Sequence, residues 1–487
     1  MKPIDKDIEY RKVSSFINEE LGLNFSKERE SDLIKGLSRA AGEFGFGNIS
    51  DFINKLPSLK LDREQLQILS KYLTIGETYF FREKVVFDVL RNILLPDIIA
   101  KRMENSQFIK FWSAGCSSGE EPYSIAILLN EIITNSTDWD VRILATDINT
   151  EQIKKAETGI YGEWSFRDVP DRIKQFYFKA VDKQKYEIKP FIKEMVSFSY
   201  LNLVNDSYPS LVNQTNAVDI IFCRNVLMYF DKQKREKVIA NFYNCLTDGG
   251  WLIVGLTEVG YMSNDKFKQI PLKDAIIFQK IPSSYQSTTK NSVKPTGDKK
   301  ESAIKFEARK AGTKNNNQQP NFYEEAMSAF DRGNYQLTAD KLESILSDET
   351  QLKLLSTAEK EKTFQILSTA YANLGKLNRA LSWCDKGLQN FKLNTQLYLL
   401  KANLMQEFNK NDEAIEALKK ALYLDPDYIM AHFMLANMYK KIGKITGARK
   451  QFNILTELLT GLDGNTVIKD SEGITALRLK EMIDSLN

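Results

Sequence analysis

Apolar positions in residues 1–75 recur at helical spacing and are broken by turn signals at Asn24-Phe25-Ser26, Gly45-Phe46-Gly47 and Pro57-Ser58, which predicts a small domain of short amphipathic helices. The pattern then changes. Residues 108–133, FIKFWSAGCSSGEEPYSIAILLNEII, pass from an apolar strand through a Gly/Ser turn into helical periodicity, and DVRILATDI (140–148) is a second strand ending in an acid. Further strand patterns lie at 195–203, 217–225, 249–256 and 275–280, with helical stretches between most of them. Alternation of this kind predicts an α/β fold: a mainly parallel, doubly wound sheet covered by helices on both faces, with ligands outside the carboxyl ends of its strands.

Periodicity stops at 282–320, where Ser, Thr, Lys, Asn and Gln dominate and too little apolar surface is available to fold, so the segment reads as a flexible linker. Beyond it, Ala380, Ala414 and Ala448 stand 34 residues apart, Gly387 and Ala421 keep the same interval, and Tyr371, Met405 and Tyr439 share it. Gly375 and Gly443 fall in the turns of paired helices, and Pro426 follows Asp425 at the end of one unit. The pattern resembles the tetratricopeptide repeat, in about three units preceded by a degenerate one at 333–346; a helical bundle with accidental spacing is the alternative. Four segments are expected: 1–75, 76–281, the linker 282–320 and an all-α domain over 321–487.

Composition narrows the function. A chain of 487 residues that is 43% hydrophobic and 27% charged has material for two or three ordinary cores. Its net charge of +3 is small, and residues 282–320 alone hold eight Lys/Arg against three Asp/Glu, so no basic face for nucleic acid is expected. The longest apolar run, near Ile125–Leu129, is too short to cross a bilayer, and the charged start MKPIDKDIEYRKV has no apolar segment behind it. A cytoplasmic protein without membrane insertion is expected. Cys116, Cys223, Cys245 and Cys384 show no C-x-x-C spacing and read as buried small hydrophobes, with no metal site expected. The single histidine, His432, lies far from every glycine-rich segment, which removes most imidazole chemistry.

The turn Ser113-Ala114-Gly115-Cys116-Ser117-Ser118-Gly119-Glu120-Glu121-Pro122 joins a strand to a helix, as a nucleotide loop does, although structural turns also give this spacing. Two acids stand where a phosphate loop needs lysine, and they suit a cation. S-adenosylmethionine carries a sulfonium and an ammonium, so Glu121 is expected to hold the ammonium; the alternative is a first-turn acid favourable to the helix N-terminus. Asp147, ending the second strand 28 residues beyond Gly119, is expected to bind ribose hydroxyls, or else to be a turn aspartate.

Thr78-Tyr79-Phe80-Phe81-Arg82-Glu83, the SAGCSSGEEPYSIA segment, ATDIN (145–149) and FCRNVLMYFDK (222–232) together resemble the CheR family of chemotaxis-receptor glutamate methyltransferases, in order and spacing, over residues 1–281. The resemblance implies that 76–281 is an S-adenosylmethionine-dependent methyltransferase domain with a small β insertion at 176–198. It also implies methylation of glutamate side chains on the cytoplasmic domain of methyl-accepting chemoreceptors, with S-adenosylhomocysteine as product. Thr78, Arg82, Glu121, Asp147, Asn202, Leu203, Arg224 and Asn225 would line the donor site, and Arg82 and Tyr229 would stand nearest the reacting centre. Read as residues alone, TYFFRE could equally be an aromatic packing helix and Tyr229 a strand-end aromatic. The chemistry agrees: transfer from a sulfonium to a carboxylate that is already ionised, with a reference pKa of about 4.3, needs no general base.

Two departures from the family stand out. Lys179–Lys189 contains no glycine, where members that dock a receptor pentapeptide have a glycine-containing loop, and Gly255-Leu256-Thr257-Glu258 stands where many have histidine and serine after the glycine. Lys27, Arg29, Lys35 and Arg39 offer a basic face to an acidic receptor bundle or simply a solvated one, and the repeat domain is expected to select a protein or peptide partner. Two rival functions remain: a methyltransferase acting on nucleic acid or a small molecule, disfavoured because Arg224-Asn225-Val226-Leu227 lacks the proline-rich tetrapeptide of N-methylation, and a donor-binding signalling scaffold without turnover.

Overall fold

The computed structural model describes residues 6–103, 107–133, 139–262, 265–272, 275–282, 322–471 and 473–486. Apart from Pro282, the predicted linker 282–320 lies outside the described residues. The first helices are Lys6–Leu21, Glu30–Glu43, Ile49–Lys55 and Arg63–Leu73, and the three predicted turn signals fall between them. Local chemistry starts two of them: the Asn48 side chain accepts from the Ser50 N–H, and Asp62 and Gln65 cap each other's backbone. Their apolar stripes meet around Ile17, Leu33, Leu37, Phe52 and Leu69.

The strands are β1 (Phe108–Ala114), β2 (Asp140–Asp147), β3 (Ile160–Gly162), β4 (Phe178–Asp182), β5 (Lys185–Ile188), β6 (Val196–Tyr200), β7 (Val218–Cys223), β8 (Leu246–Val254), β9 (Phe267–Leu272) and β10 (Ala275–Lys280). Seven of them form one sheet in the order β6-β2-β1-β7-β8-β10-β9, parallel from β6 to β8 and closed by an antiparallel edge pair. The doubly wound expectation holds, with the chain leaving β1 toward β2 and β6 and returning toward β7 and β8. A crevice therefore opens at the carboxyl ends of β1 and β7. Neighbouring residues alternate between two cores, Phe111 and Ile220 on one face, Trp112 and Ile221 on the other.

Sequence periodicity missed β9, whose Pro271 marks it as an edge strand, where a missing donor is tolerated. The small sheet has the order β3-β5-β4, so it reaches back to Ile160, and residues 196–198, included in the expected insertion, belong to β6 of the large sheet. Three residues of β3 are too few to show an alternating pattern. The β4–β5 hairpin turns over Lys183-Gln184.

In the C-terminal half, the described residues form four helix pairs: Phe322–Asp331 with Tyr335–Ser347, Thr357–Asn373 with Leu377–Asn390, Thr395–Glu407 with Asn411–Leu424, and Ile429–Lys441 with Ile445–Thr460; the short helix Glu349–Leu354 lies between the first two pairs and Ala476–Leu486 follows the last. Ala380, Ala414 and Ala448 are buried, as small residues at close crossings should be. An added Cβ at Gly387 would stand 2.9 Å from Leu397 Cδ1.

This half is docked on the amino end of the sheet. Lys110 of β1, 1% exposed, places Nζ 3.2 Å from Glu407 Oε1 and 3.3 Å from Asn216 Oδ1. Arg142 of β2 reaches the other oxygen of Glu407 at 3.0 Å and its carbonyl at 2.9 Å. Leu211 and Val212, from the stretch before β7, pack into the repeat cores. Burial lowers the Lys110 pKa while Glu407 raises it, so the ammonium depends on its partner. Glu407→Ala should therefore cost about 3–5 kcal/mol, because it strands a buried cation, whereas Asp97→Ala in the exposed Lys101–Asp97 pair should cost under about 1 kcal/mol. Denaturant unfolding of the two variants measures the difference, and equal midpoints would refute it.

Candidate active site

The carboxyl ends of the central strands and the inner side of the N-terminal helices enclose a cavity of about 450 Å³. Thr78, Arg82, Glu121, Asp147, Asn202, Leu203, Arg224, Asn225 and Tyr229 all line it. Gly115 lines it too, and Gly119 caps the helix that follows; they adopt φ of +85° and +92°, and an added Cβ would stand 2.4 Å from Val226 Cγ2 or 2.7 Å from Ala156 Cβ, respectively. Packing within the chain, and not ligand approach alone, therefore demands glycine at both positions.

Of the two adjacent acids, Glu121 faces the cavity. Ser113 Oγ donates to its Oε1 at 2.7 Å, and Arg224 Nη1 donates to its Oε2 at 3.1 Å. Glu120 turns away, 1% exposed, and accepts from the hydroxyls of Ser118 and Ser165 at 2.7 and 2.9 Å; burial pushes its carboxyl up. The guanidinium of Arg224 also donates to the Arg82 carbonyl at 2.7 Å and approaches Glu83 to 3.1 Å, while its buried Nε has no partner among the described residues. Opposite charges side by side with a spare donor match the ammonium and carboxylate of an amino acid, so the residues fit the methionyl end of S-adenosylmethionine.

Asp147 accepts from the Ser117 N–H and the Asn149 N–H, both at 2.8 Å. It is thus a turn aspartate, and each of its oxygens keeps a lone pair for a ribose hydroxyl. Burial pushes its carboxyl up and the N–H groups pull it back. Two residues on, the Asn149 side chain donates to Thr74 Oγ1 at 2.9 Å, bringing the end of the Arg63–Leu73 helix over the pocket. Asn202 Oδ1 caps its own turn by accepting from the Val204 N–H at 3.0 Å, and Leu203 is buried beside it.

TYFFRE is a turn and not a packing helix, with Phe81 and Glu83 at φ of +57° and +58°. Phe80 is anchored against Tyr161, Phe166 and Phe178, with ring centroids 4.9 to 5.1 Å apart, and Phe81 packs on Phe87. Burying the two phenylalanines leaves Thr78, Tyr79 and Arg82 on the cavity side. Arg82 NH1 donates to the Glu77 carbonyl at 2.7 Å.

Tyr229 sits in the 3-10 turn Leu227–Tyr229 after β7, where its carbonyl accepts from the Asn24 N–H at 2.7 Å. Arg29 lies between the Phe25 and Tyr229 rings, 4.7 and 4.9 Å from their centroids. Burial pushes the Tyr229 phenol up, so at neutral pH it is a hydrogen-bond donor. Sequence reasoning overlooked Glu258, fully buried behind this wall; its place after the last central strand was the available signal.

The thiol of Cys116 lines the pocket but burial pushes it far above the usual range, so it is no thiolate nucleophile. His432 is tied to Gln451 Oε1 and the Pro426 carbonyl, at 2.6 and 2.7 Å, within the repeats. Among the described residues no helix is long and apolar enough to cross a membrane, and no cluster of three His, Cys, Asp or Glu suits a metal.

A model of the family described as "CheR methyltransferase, SAM binding domain" matches residues 76–276, and one described as "TPR repeat" matches 407–443. A chemotaxis protein methyltransferase of Borreliella burgdorferi is 36% identical over 258 residues, 52% of this chain and 89% of the relative. Chemotaxis protein methyltransferase 2 of Vibrio cholerae is 38% identical over 195 residues, 40% of this chain and 66% of its own length. One from Vibrio parahaemolyticus is 31% identical over 276 residues, 56% of this chain and 97% of that protein. The chain belongs to the CheR family of methyltransferases, with S-adenosylmethionine as its methyl donor.

Proposed function

We propose that this protein methylates glutamate side chains in the cytoplasmic domain of methyl-accepting chemoreceptors, forming glutamyl methyl esters and S-adenosylhomocysteine in the cytoplasm. The observation that carries the reading is the Glu121–Arg224 pair beneath Arg82 and Tyr229, in a pocket with neither imidazole nor thiolate. When bound, S-adenosylmethionine supplies an electrophilic methyl on a sulfonium. Glu121 holds the ammonium of the donor, Arg224 its carboxylate, and Asp147 the ribose hydroxyls, with Thr78, Asn202, Leu203 and Asn225 completing the wall. Arg82 orients the incoming carboxylate at the mouth, and the Tyr229 hydroxyl donates to an acceptor oxygen. Neither removes a proton, because the glutamate arrives ionised.

Residues 1–75 and 76–281 act as one catalytic unit, while the repeats of 321–487 choose a protein or peptide partner. Support for that division comes from the repeat match and from the position of the docked helices, at the end of the sheet opposite the pocket. Deleting the repeats would uncover Lys110 and Leu211, so surface substitutions on the repeat helices are the cleaner probe of partner choice.

Incubation with methyl-labelled donor and a receptor cytoplasmic fragment should give base-labile label released as methanol. Stable label would indicate a different acceptor, donor binding without turnover a scaffold, and either overturns the reading. Affinity for S-adenosylhomocysteine should also fall on acidification. The folded Asp147 carboxyl has a raised pKa, so it takes up its proton above the ordinary aspartate value of about 3.9, and the neutral form accepts fewer hydroxyl hydrogens. Titration calorimetry across pH should show that loss in the wild type and a weak, flatter profile in Asp147→Asn; the same slope in both would remove Asp147 from the role.

A further inference from the structure

Glu258 lies in the 3-10 turn Leu256–Tyr261 that follows β8, with 0% exposure. Its carboxylate is held by backbone. Oε2 accepts from the Asn225 N–H at 2.7 Å and the Gly255 N–H at 2.9 Å, and Oε1 accepts from the Met228 N–H at 3.1 Å. Burial pushes this carboxyl up, and the N–H groups of Gly255, Asn225, Met228 and Val226 oppose that rise. A buried charge without a cation beside it is costly unless its hydrogen bonds are complete, so what those bonds fasten matters.

They fasten two loops that leave the sheet at adjacent carboxyl ends. Gly255 follows β8, whereas Asn225 and Met228 belong to the loop after β7, and between and beside them stand Arg224, Val226 and Tyr229 on the cavity wall. Asn225 adopts φ of +60°, uncommon for a residue other than glycine, and its N–H is the one that makes the 2.7 Å bond. Without that acceptor the loop has other conformations open to it, and Arg224 and Tyr229 would turn with it.

The geometry points to Glu258 as a positioning residue for methyl transfer: its carboxylate locks the loop after β7 so that Arg224, Asn225 and Tyr229 face the donor and the acceptor. The inference rests on the reading of this cavity as the donor site. It concerns a side chain that touches neither reactant and acts through backbone alone.

Two variants test it. Glu258→Gln keeps one carbonyl acceptor but replaces the other with an N–H donor facing N–H groups, and Glu258→Asp keeps the charge one methylene short. Calorimetry with S-adenosylhomocysteine needs no acceptor, so it decides this inference even if the wild type proves to methylate something other than a receptor glutamate. In Glu258→Gln the Kd should rise roughly tenfold and kcat on the receptor fragment should fall roughly tenfold or more, with the KM for that fragment within about twofold of wild type. Glu258→Asp should recover part of both. Wild-type Kd and kcat in both variants would overturn the proposal. So would a rate loss matched by an equal loss of folded protein in thermal unfolding, or failure of both variants to fold, since either assigns the carboxylate to folding alone.

Discussion

Arg224 is where the cavity wall is tied together. Its guanidinium meets Glu121 from the helix after β1, and Glu83 and the Arg82 carbonyl from the turn before the sheet, while its own backbone directly follows β7. Three segments far apart in sequence are thus fixed by one side chain that is almost wholly buried. The cost of burying that cation is met by two carboxylates and a carbonyl, a geometry that a guanidinium fork accommodates and a lysine ammonium does not. If the same group is the cationic half of the donor subsite, as proposed, the architecture of the pocket and its affinity for an amino-acid zwitterion could not be altered independently.

Much of this was legible from the sequence for a physical reason. A parallel strand buried on both faces reads as an apolar run, so β1, β2 and β7 stood out, and the acid at the end of β2 could be located by the strand that delivers it. The repeat was legible because close helix crossings need small side chains at a fixed interval. Where burial is one-sided or elements are short the signal faded: the edge strand β9 carries a proline, and β3 has three residues. TYFFRE shows a different limit. Its phenylalanines pack into the core while its threonine and arginine line the cavity, with left-handed backbone at Phe81 and Glu83 between them.

Long-range partners were illegible. Lys110 is the lone charged residue in an apolar strand, and nothing local connects it to Glu407, 297 residues later. Glu258 likewise carries no local signal of its role, because the groups it binds are backbone N–H donors, which every sequence supplies and none advertises. Buried charges paired through tertiary structure leave no local trace. Sequence motifs therefore identified the residues that line the cavity better than those that hold them in place.

The two buried charge clusters sit at opposite ends of the same strands, and this organises the molecule. β1 carries Lys110 near its start and Ser113 near its end, so one strand is clamped to the repeats below and to Glu121 above. β2 does the same with Arg142 and Asp147. The strands are stiff elements of a packed sheet, so any partner gripped by the repeats would be held at a fixed offset from the pocket instead of swinging on a tether. A rigid offset raises the local concentration of an acceptor only when that acceptor's glutamate lies at the matching distance from the gripped site, so repeats that bind a receptor would measure spacing as well as identity.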